Sequence, residues 1–197
     1  MKDPSLFERA IAAFDEANAA DPTCEEVDGK QVPHEWIDAK RVSAWVEKLQ
    51  PNASEPLRLA SRCQHIRRWE RPRDDYPKTR VGYLNWRQDL KKFHAEVAAE
   101  ILEGVGYDAD TIQAVRDLNL KKNLKQGGDV QVLEDALCLT FLEFEFASFL
   151  DRVPPERMIG ILQKSWGKMS EQARNQALKL PFSEQGKALI EQALAGD

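Results

Sequence analysis

The fold class follows from the stretch VQVLEDALCLTFLEFEFASFL, residues 130–150. Drawn as a helix, this stretch is apolar on most of its circumference, and such a helix is normally buried among others. We therefore predict an all-α protein built around a central helix from about Gln131 to Leu150. Helix formers dominate the rest of the chain, and runs of β-branched residues are nearly absent, which favours helix throughout.

The sequence on either side of the central helix predicts further helices, each bounded by capping residues, prolines or glycines. Together they give seven to nine helices in a single domain over residues 1–197, with a core at about 54–150 and C-terminal helices at 154–195 packed on it. The acidic segment before residue 31 is predicted to be a loop. The predicted helices cover residues 5–19, 33–49, 54–71 and 86–103, two more begin at about 110 and at 154–155, and the last two lie near 171–178 and 183–194.

The composition narrows the range of functions. The chain has 197 residues, is 42% hydrophobic and carries a formal net charge of -5. No stretch approaches the ~20 apolar residues of a membrane helix. Three cysteines without metal-finger spacing are typical of reduced thiols, so we expect a cytoplasmic protein without a membrane partner. The acidic net charge makes nucleic acid an unlikely partner, and the oligomeric state is not predicted.

The positive charge is concentrated in one part of the chain. Residues 58–92 hold eleven Lys or Arg and four Asp or Glu, a local charge of +7 in an acidic protein. Arginine binds phosphate or carboxylate oxygens with a planar fork, and neighbouring aromatic rings can stack on a ligand or on the guanidinium group. The segment therefore predicts a site for a small anionic or phosphorylated ligand. The candidate residues are Gln64, Arg67, Arg68, Trp69, Arg73, Tyr76, Arg80, Tyr83, Trp86 and Arg87.

We expect at least three of the five arginines Arg67, Arg68, Arg73, Arg80 and Arg87 to line one pocket that also contains His65. The alternative is a solvated helix face, on which these arginines pair with nearby acids such as Asp74 and Asp75. Lys164 and Lys168 belong to a second polar and aromatic cluster, which is either a capped helix end or a lid over the arginines.

Three further residues are candidate ligands for one divalent metal ion of unspecified identity. Neutral imidazole is a common metal ligand, which singles out His65 and His94. Asp135 lies in an otherwise apolar helix, where a carboxylate is costly unless it is paired or bound to a cation. Glu134 could serve instead, but successive helix positions point about 100° apart, so only one of the two should face the site. The alternative is that all three are ordinary structural residues.

Long blocks of this sequence resemble domain-of-unknown-function family 4202, some of whose members are labelled glutamyl-tRNA synthetase-like. The blocks are RCQHIRRWERPRDDYPKTRVGYLNWR (residues 62–87), LEDALCLTFLEFEF (133–146) and KSWGKMS (164–170), with IAAFDEANAADP (11–22) near the beginning. The resemblance spans nearly the whole chain and implies no established activity.

A more distant resemblance is to the HD superfamily of helical, metal-dependent phosphohydrolases. Those proteins hold a metal with a His, a His-Asp pair and a further Asp, to which His65, His94 and Asp135 would correspond. Ala95 follows His94 where the pattern has Asp. The resemblance implies a metal-assisted hydrolase of a phosphorylated metabolite or nucleotide. The alternatives are a non-catalytic, anion- or nucleotide-binding module that has lost the metal and, drawn from the family label alone, an RNA-related protein.

Overall fold

A computed structural model describes residues 3–122, 124 and 127–195 and confirms the all-α prediction, with a small β-hairpin added. Within these residues there are ten α-helices rather than seven to nine. None of them is both long and apolar enough to cross a membrane. The helices are α1 (Leu6–Ala19), α2 (His34–Leu49), α3 (Glu55–Cys63), α4 (Arg80–Val105), α5 (Ala109–Asn119), α6 (Asp129–Thr140), α7 (Phe146–Leu150), α8 (Pro155–Trp166), α9 (Glu171–Ala177) and α10 (Glu184–Leu194).

One hydrophobic core joins helices from the whole chain. Its fully buried side chains extend from Phe14 on α1, through Val46 on α2 and Leu139 on α6, to Ala193 on α10. Helix α6 packs against α2, α3, α5 and α9, which gives it the central position that its apolar sequence predicts. The core therefore also draws on residues before 54 and after 150.

The segment predicted as an acidic loop is an antiparallel hairpin of β1 (Cys24–Val27) and β2 (Lys30–Pro33). Asp28 and Gly29 form its turn with φ of 50° and 75°. This is the backbone that a two-residue Asp-Gly hairpin turn requires, so the loop prediction is wrong. The hairpin leads directly into α2.

The third helix ends at Cys63, well before the predicted boundary at Pro72. Arg67 takes the left-handed conformation, with φ of 53°, and its backbone N–H donates to Oδ1 of Asn18 at 3.1 Å. That contact with α1 turns the chain away from the helix axis. His65 consequently lies in a turn after α3, and Arg68 begins a short 3-10 helix, Arg68–Glu70, in the connection to α4.

The predicted central helix is present as a continuous helical run that changes type. Helix α6 passes at Thr140 into a π-helical turn, Phe141–Glu145, which continues as α7. Such turns insert one extra residue and are frequent at functional sites. Here the turn directs Glu145 into the cleft described below.

Candidate functional site

A cleft with a volume of about 980 Å³ opens beside α6. Its floor contains buried side chains of α6, among them Glu134 and Thr140, each 3% exposed or less. Helices α4 and α8 contribute more exposed residues, including Tyr83 and Arg157. The connection after α3 supplies His65 and Arg68, so segments distant in sequence meet at one site.

The lining of this cleft is cationic although the protein is acidic. It contains seven Lys or Arg and four Asp or Glu, a net charge of +3 with His65 neutral, in a chain of net charge -5. The basic residues are Arg68, Arg87, Lys91, Lys121, Arg157, Lys164 and Lys168, and the acidic ones are Asp38, Glu134, Glu145 and Glu156.

Four of these cations have no carboxylate within 4.0 Å in the described part of the chain: Arg87, Lys91, Arg157 and Lys164. Burial lowers the pKa of Lys91, and the positive charge of Arg87 lowers it further. Burial is the larger cause, and the charge of Arg87 adds to it because two neighbouring cations disfavour each other's charged form.

Part of the predicted anion site lines the cleft. Arg68 and Arg87 do so beside His65, together with Tyr83 and Trp86. The Arg68 guanidinium carbon lies 5.4 Å from the centre of the Trp86 ring. Lys164, in the last turn of α8, and Lys168, just after that helix, line the same cleft. Only two of the five arginines are in the lining, so the expectation of at least three is wrong.

The other predicted anion-binding residues lie outside the cleft lining. Arg67 forms a two-pronged ion pair with Glu70. Arg73 donates to the backbone carbonyls of Tyr76 and Pro77, both at 2.8 Å. These contacts hold the connection before α4 and are structural. The rest are Gln64, which is buried, Trp69, which is half-buried, Tyr76, which donates to Asp89, and Arg80, which is exposed at the start of α4.

The two candidate metal-binding histidines lie side by side, with ring centres 6.0 Å apart. His94 is 2% exposed, and its Nδ1 bonds to the carbonyl oxygen of Ile66 at 2.8 Å. Since a carbonyl can only accept, Nδ1 must carry the proton, and Nε2 is a buried lone pair with no partner among the described residues. Burial, followed by the charge of His65, lowers the pKa of His94 to about 3, so the ring is neutral.

The third predicted ligand, Asp135, does not join them. Its carboxylate accepts from the backbone N–H and hydroxyl of Ser170, at 2.8 and 2.5 Å, and from Nε2 of Gln131 at 2.9 Å. It therefore ties α6 to the start of α9. Glu134, the neighbouring carboxylate, faces the cleft instead, where it pairs with Lys121 and Lys168. The set implied by the HD resemblance thus does not fit a metal ion.

A different group of potential ligands does come together at the cleft wall. Within the described residues, Glu35, Asp38 and His65 place one ligand atom each within 4.8 Å of one another. Glu35 and Asp38 lie at positions i and i+3 of α2, so they share one face of that helix. Nδ1 of His65 is 3.3 Å from Oδ2 of Asp38. Asp38 and His65 line the cleft, and Glu35 lies behind them.

The pKa values in this group reflect burial and mutual charge. Burial, reinforced by the charge of Asp38, raises the pKa of Glu35 to about 8 despite the opposing charge of Arg68. Burial also tends to raise the pKa of Asp38, but the hydrogen bond and charge of His65 outweigh it and lower that pKa. Burial lowers the pKa of His65 against the effect of Asp38. Burial and then Asp38 raise the pKa of Glu145.

Sequence reasoning missed several of these residues. Lys121 and Arg157 carry no local motif and join the cleft only through the fold, and Lys91 lies in the basic segment but was not among the candidate residues. Glu35 and Asp38 form an acidic i, i+3 pair at a helix start, which is usually a solvated feature. In the sequence, the feature that indicates burial of this pair is its apolar neighbours Trp36, Ile37 and Ala39.

The comparison with known families identifies the chain. The model of the family described as "Domain of unknown function (DUF4202)" matches residues 8–190, so the chain belongs to that family. No curated protein and no solved structure matches the chain. The family resemblance is thereby confirmed, and the match does not extend to the HD superfamily or to a synthetase.

Proposed function

We propose that this member of the DUF4202 family binds a small phosphorylated ligand in the cationic cleft. One observation carries the proposal: Arg87, Lys91, Arg157 and Lys164 line the cleft without a carboxylate partner among the described residues. In an acidic protein, uncompensated cations gathered in one concave surface repel one another. A bound anion removes that repulsion and gains charge-assisted hydrogen bonds.

The aromatic residues of the cleft lining favour a ligand that carries a ring as well as a phosphate. The rings of Tyr83 and Trp86 lie 5.8 Å apart and are tilted by 48°. Tyr83 is 44% exposed and Leu84 55%, so an apolar surface borders the cations. A nucleotide or a phosphorylated aromatic metabolite combines both features. A nucleic-acid duplex fits less well, since the positive charge is confined to a cleft.

Cysteine chemistry has no part in this proposal. Burial raises the pKa of Cys63 and of Cys138 to about 12, so neither is a thiolate at neutral pH. All three cysteines are unpaired, which is in keeping with the reducing cytoplasm that we propose as its setting.

The test is a calorimetric titration with inorganic phosphate, pyrophosphate and nucleotides on the parent protein and two arginine variants. Arg87→Ala removes an unpaired cation of the cleft and should weaken binding by about 1.5–3 kcal/mol, the range for a hydrogen bond to a charged group. Arg73→Ala is the matched control, because its guanidinium bonds to backbone carbonyls outside the cleft. It should lower the melting temperature and leave anion affinity unchanged.

Two results would contradict the proposal. One is the absence of measurable binding for every phosphate compound at millimolar concentration. The other is an Arg87→Ala variant that binds anions as the parent does while losing stability, since that arginine would then be structural.

Metal-assisted hydrolysis of a phosphorylated metabolite is the second candidate function. The observation that favours it is the group of Glu35, Asp38 and His65 on the wall of the same cleft, where a metal and a phosphate could be held close together. Release of inorganic phosphate from a panel of nucleotides, with Mn²⁺ or Zn²⁺ added, separates this candidate from simple binding. Binding without any phosphate release would leave the cleft as a non-catalytic site.

A further inference from the structure

We propose that Glu35, Asp38 and His65 bind one divalent transition-metal ion. Their ligand atoms already lie within 4.8 Å of one another. Ligands at about 2.0–2.2 Å from one zinc ion stand roughly 3.5 Å apart. Side-chain adjustments of about an ångström are therefore enough to close the site, and the backbone can stay in place.

An independent observation points to a missing cation. Glu35 is 7% exposed, and its Oε2 is buried without a hydrogen-bond partner among the described residues. Its Oε1 is 4.0 Å from Nε of Arg68, too far for a hydrogen bond. A buried carboxyl oxygen without a partner is costly even when the group is protonated, because the hydrogen bond to water that it gives up on burial is not replaced. A metal ion coordinated by Glu35 supplies the missing partner.

The surrounding structure holds the ligands in place before any ion arrives. Oδ2 of Asp21 accepts the backbone N–H of Glu35 at 3.0 Å and fixes the first turn of α2. On the other side, the backbone N–H of Arg67 bonds to Asn18 and fixes the connection that carries His65. Two elements that are remote in sequence are thus anchored to a common framework, which lowers the cost of ordering the ligands.

The donor atoms define the class of metal. Two carboxylates and one imidazole suit Zn²⁺, Mn²⁺ or Fe²⁺ better than Ca²⁺, which prefers oxygen ligands throughout. Three protein ligands leave a coordination position open, as in catalytic rather than structural zinc sites. Since Asp38 and His65 line the cleft, that position is on the cleft side. The site differs from the HD ligand set in two of its three residues and does not depend on anion binding.

The experiment is a titration of the chelator-treated, full-length protein with Zn²⁺ in a buffer free of phosphate. Calorimetry measures the stoichiometry and affinity, and NMR spectra monitor the ring signals of the three histidines. The expected result is one zinc ion per chain and a shift that is largest for His65. His34, which pairs with Glu25 and is not a proposed ligand, should shift less than His65. In Glu35→Gln and His65→Gln, zinc affinity should fall by at least about tenfold, since even outer partners of metal ligands contribute that much.

Glu100→Gln is the matched control, because Glu100 is an exposed carboxylate on α4 and should leave zinc affinity as it is in the parent. Lack of stoichiometric uptake would overturn the proposal, as would uptake that is equal in the parent, Glu35→Gln and His65→Gln. If a variant fails to fold, the histidine signals of the parent decide the matter: zinc uptake that shifts His34 and leaves His65 unmoved assigns the ion elsewhere. Because no phosphate compound is present, the result is independent of the proposed ligand.

Discussion

Replacement of Asp135 by Ala separates the two roles that this carboxylate can have. The HD resemblance makes Asp135 a metal ligand, whereas the structure makes it the link between α6 and α9. Asp135 is 3% exposed and accepts three hydrogen bonds, two of them from Ser170. If the link is its role, the variant loses stability. If it is a ligand, the variant loses metal uptake and keeps or gains stability, since an unpaired buried charge has been removed.

The magnitude of the loss follows from the three donors. A hydrogen bond to a charged group contributes about 1.5–3 kcal/mol. Gln131 keeps a partner in the variant, because its Nε2 also donates to the carbonyl oxygen of Lys168 at 2.8 Å. Ser170 is half-buried, so water replaces part of what it loses. We therefore expect Asp135→Ala to lower the free energy of unfolding by about 3 kcal/mol. Asp135→Asn should cost less, since an amide oxygen still accepts from the hydroxyl.

Urea unfolding followed by circular dichroism measures this loss, with an unchanged m-value as the sign that the transition remains two-state. Glu100→Ala, at an exposed position on the long helix α4, serves as the reference and should change stability by no more than about 0.5 kcal/mol. An Asp135→Ala protein that unfolds at the same urea concentration as the parent would refute the structural role. Loss of zinc uptake in such a protein would restore Asp135 as a ligand.

Two further predictions concern the scaffold. Gly82→Ala should destabilise the protein by about 1–3 kcal/mol in thermal melts, because the added Cβ would lie 2.1 Å from the carbonyl oxygen of Pro77. Gly104→Ala is the control: its added Cβ meets no neighbour, so this change should stabilise the protein by up to ~1 kcal/mol. Burial alone would raise the pKa of Glu134, but Lys121 and Lys168 lower it to about 2. Ionised Glu134 makes its full contribution to the free energy of unfolding above pH 4.5. On the order of 3 kcal/mol of that contribution is lost as the pH falls to about 2. Between these pH values the free energy of unfolding should change less with pH in Glu134→Gln than in the parent protein. An equal pH dependence in the two proteins would contradict this account.

Local sequence signals were sufficient for most helices. Ser5 and Glu8 form the predicted capping box of α1, and Gly106 ends α4 in the left-handed conformation with φ of 104°. These signals depend on residues close together in the chain. The early end of α3 could not be predicted in this way, because the partner of the Arg67 backbone is Asn18, far away in sequence. The hairpin, in contrast, has a local signal, because Asp28-Gly29 is a typical two-residue hairpin turn.

The candidate site was predictable only in part, and for a similar reason. Of the arginines predicted from the density of arginine in residues 58–92, Arg68 and Arg87 line the cleft, but composition does not say which side chains converge. Arg73 and Arg87 look alike in the sequence. In the structure, Arg73 donates to backbone carbonyls, whereas Arg87 lines the cleft. What separates them is the direction of each side chain, which is fixed by the irregular connection before α4 and by the helix itself.

The HD pattern is an order of residues along the chain, and it assigns to the two histidines a carboxylate, Asp135, that lies on another side of α6. Glu134 and Asp135 point about 100° apart on α6, so one of them must turn away from the cleft. Lys121 and Lys168 lie on the cleft side and select Glu134, while Ser170 lies on the other side and takes Asp135. His65 is then left without the carboxylate that the HD pattern would give it. Helix α2 provides two in its place, Glu35 and Asp38, on the face that meets the connection after α3. A metal at His65 would therefore depend on residues before the basic segment, which the HD pattern does not include.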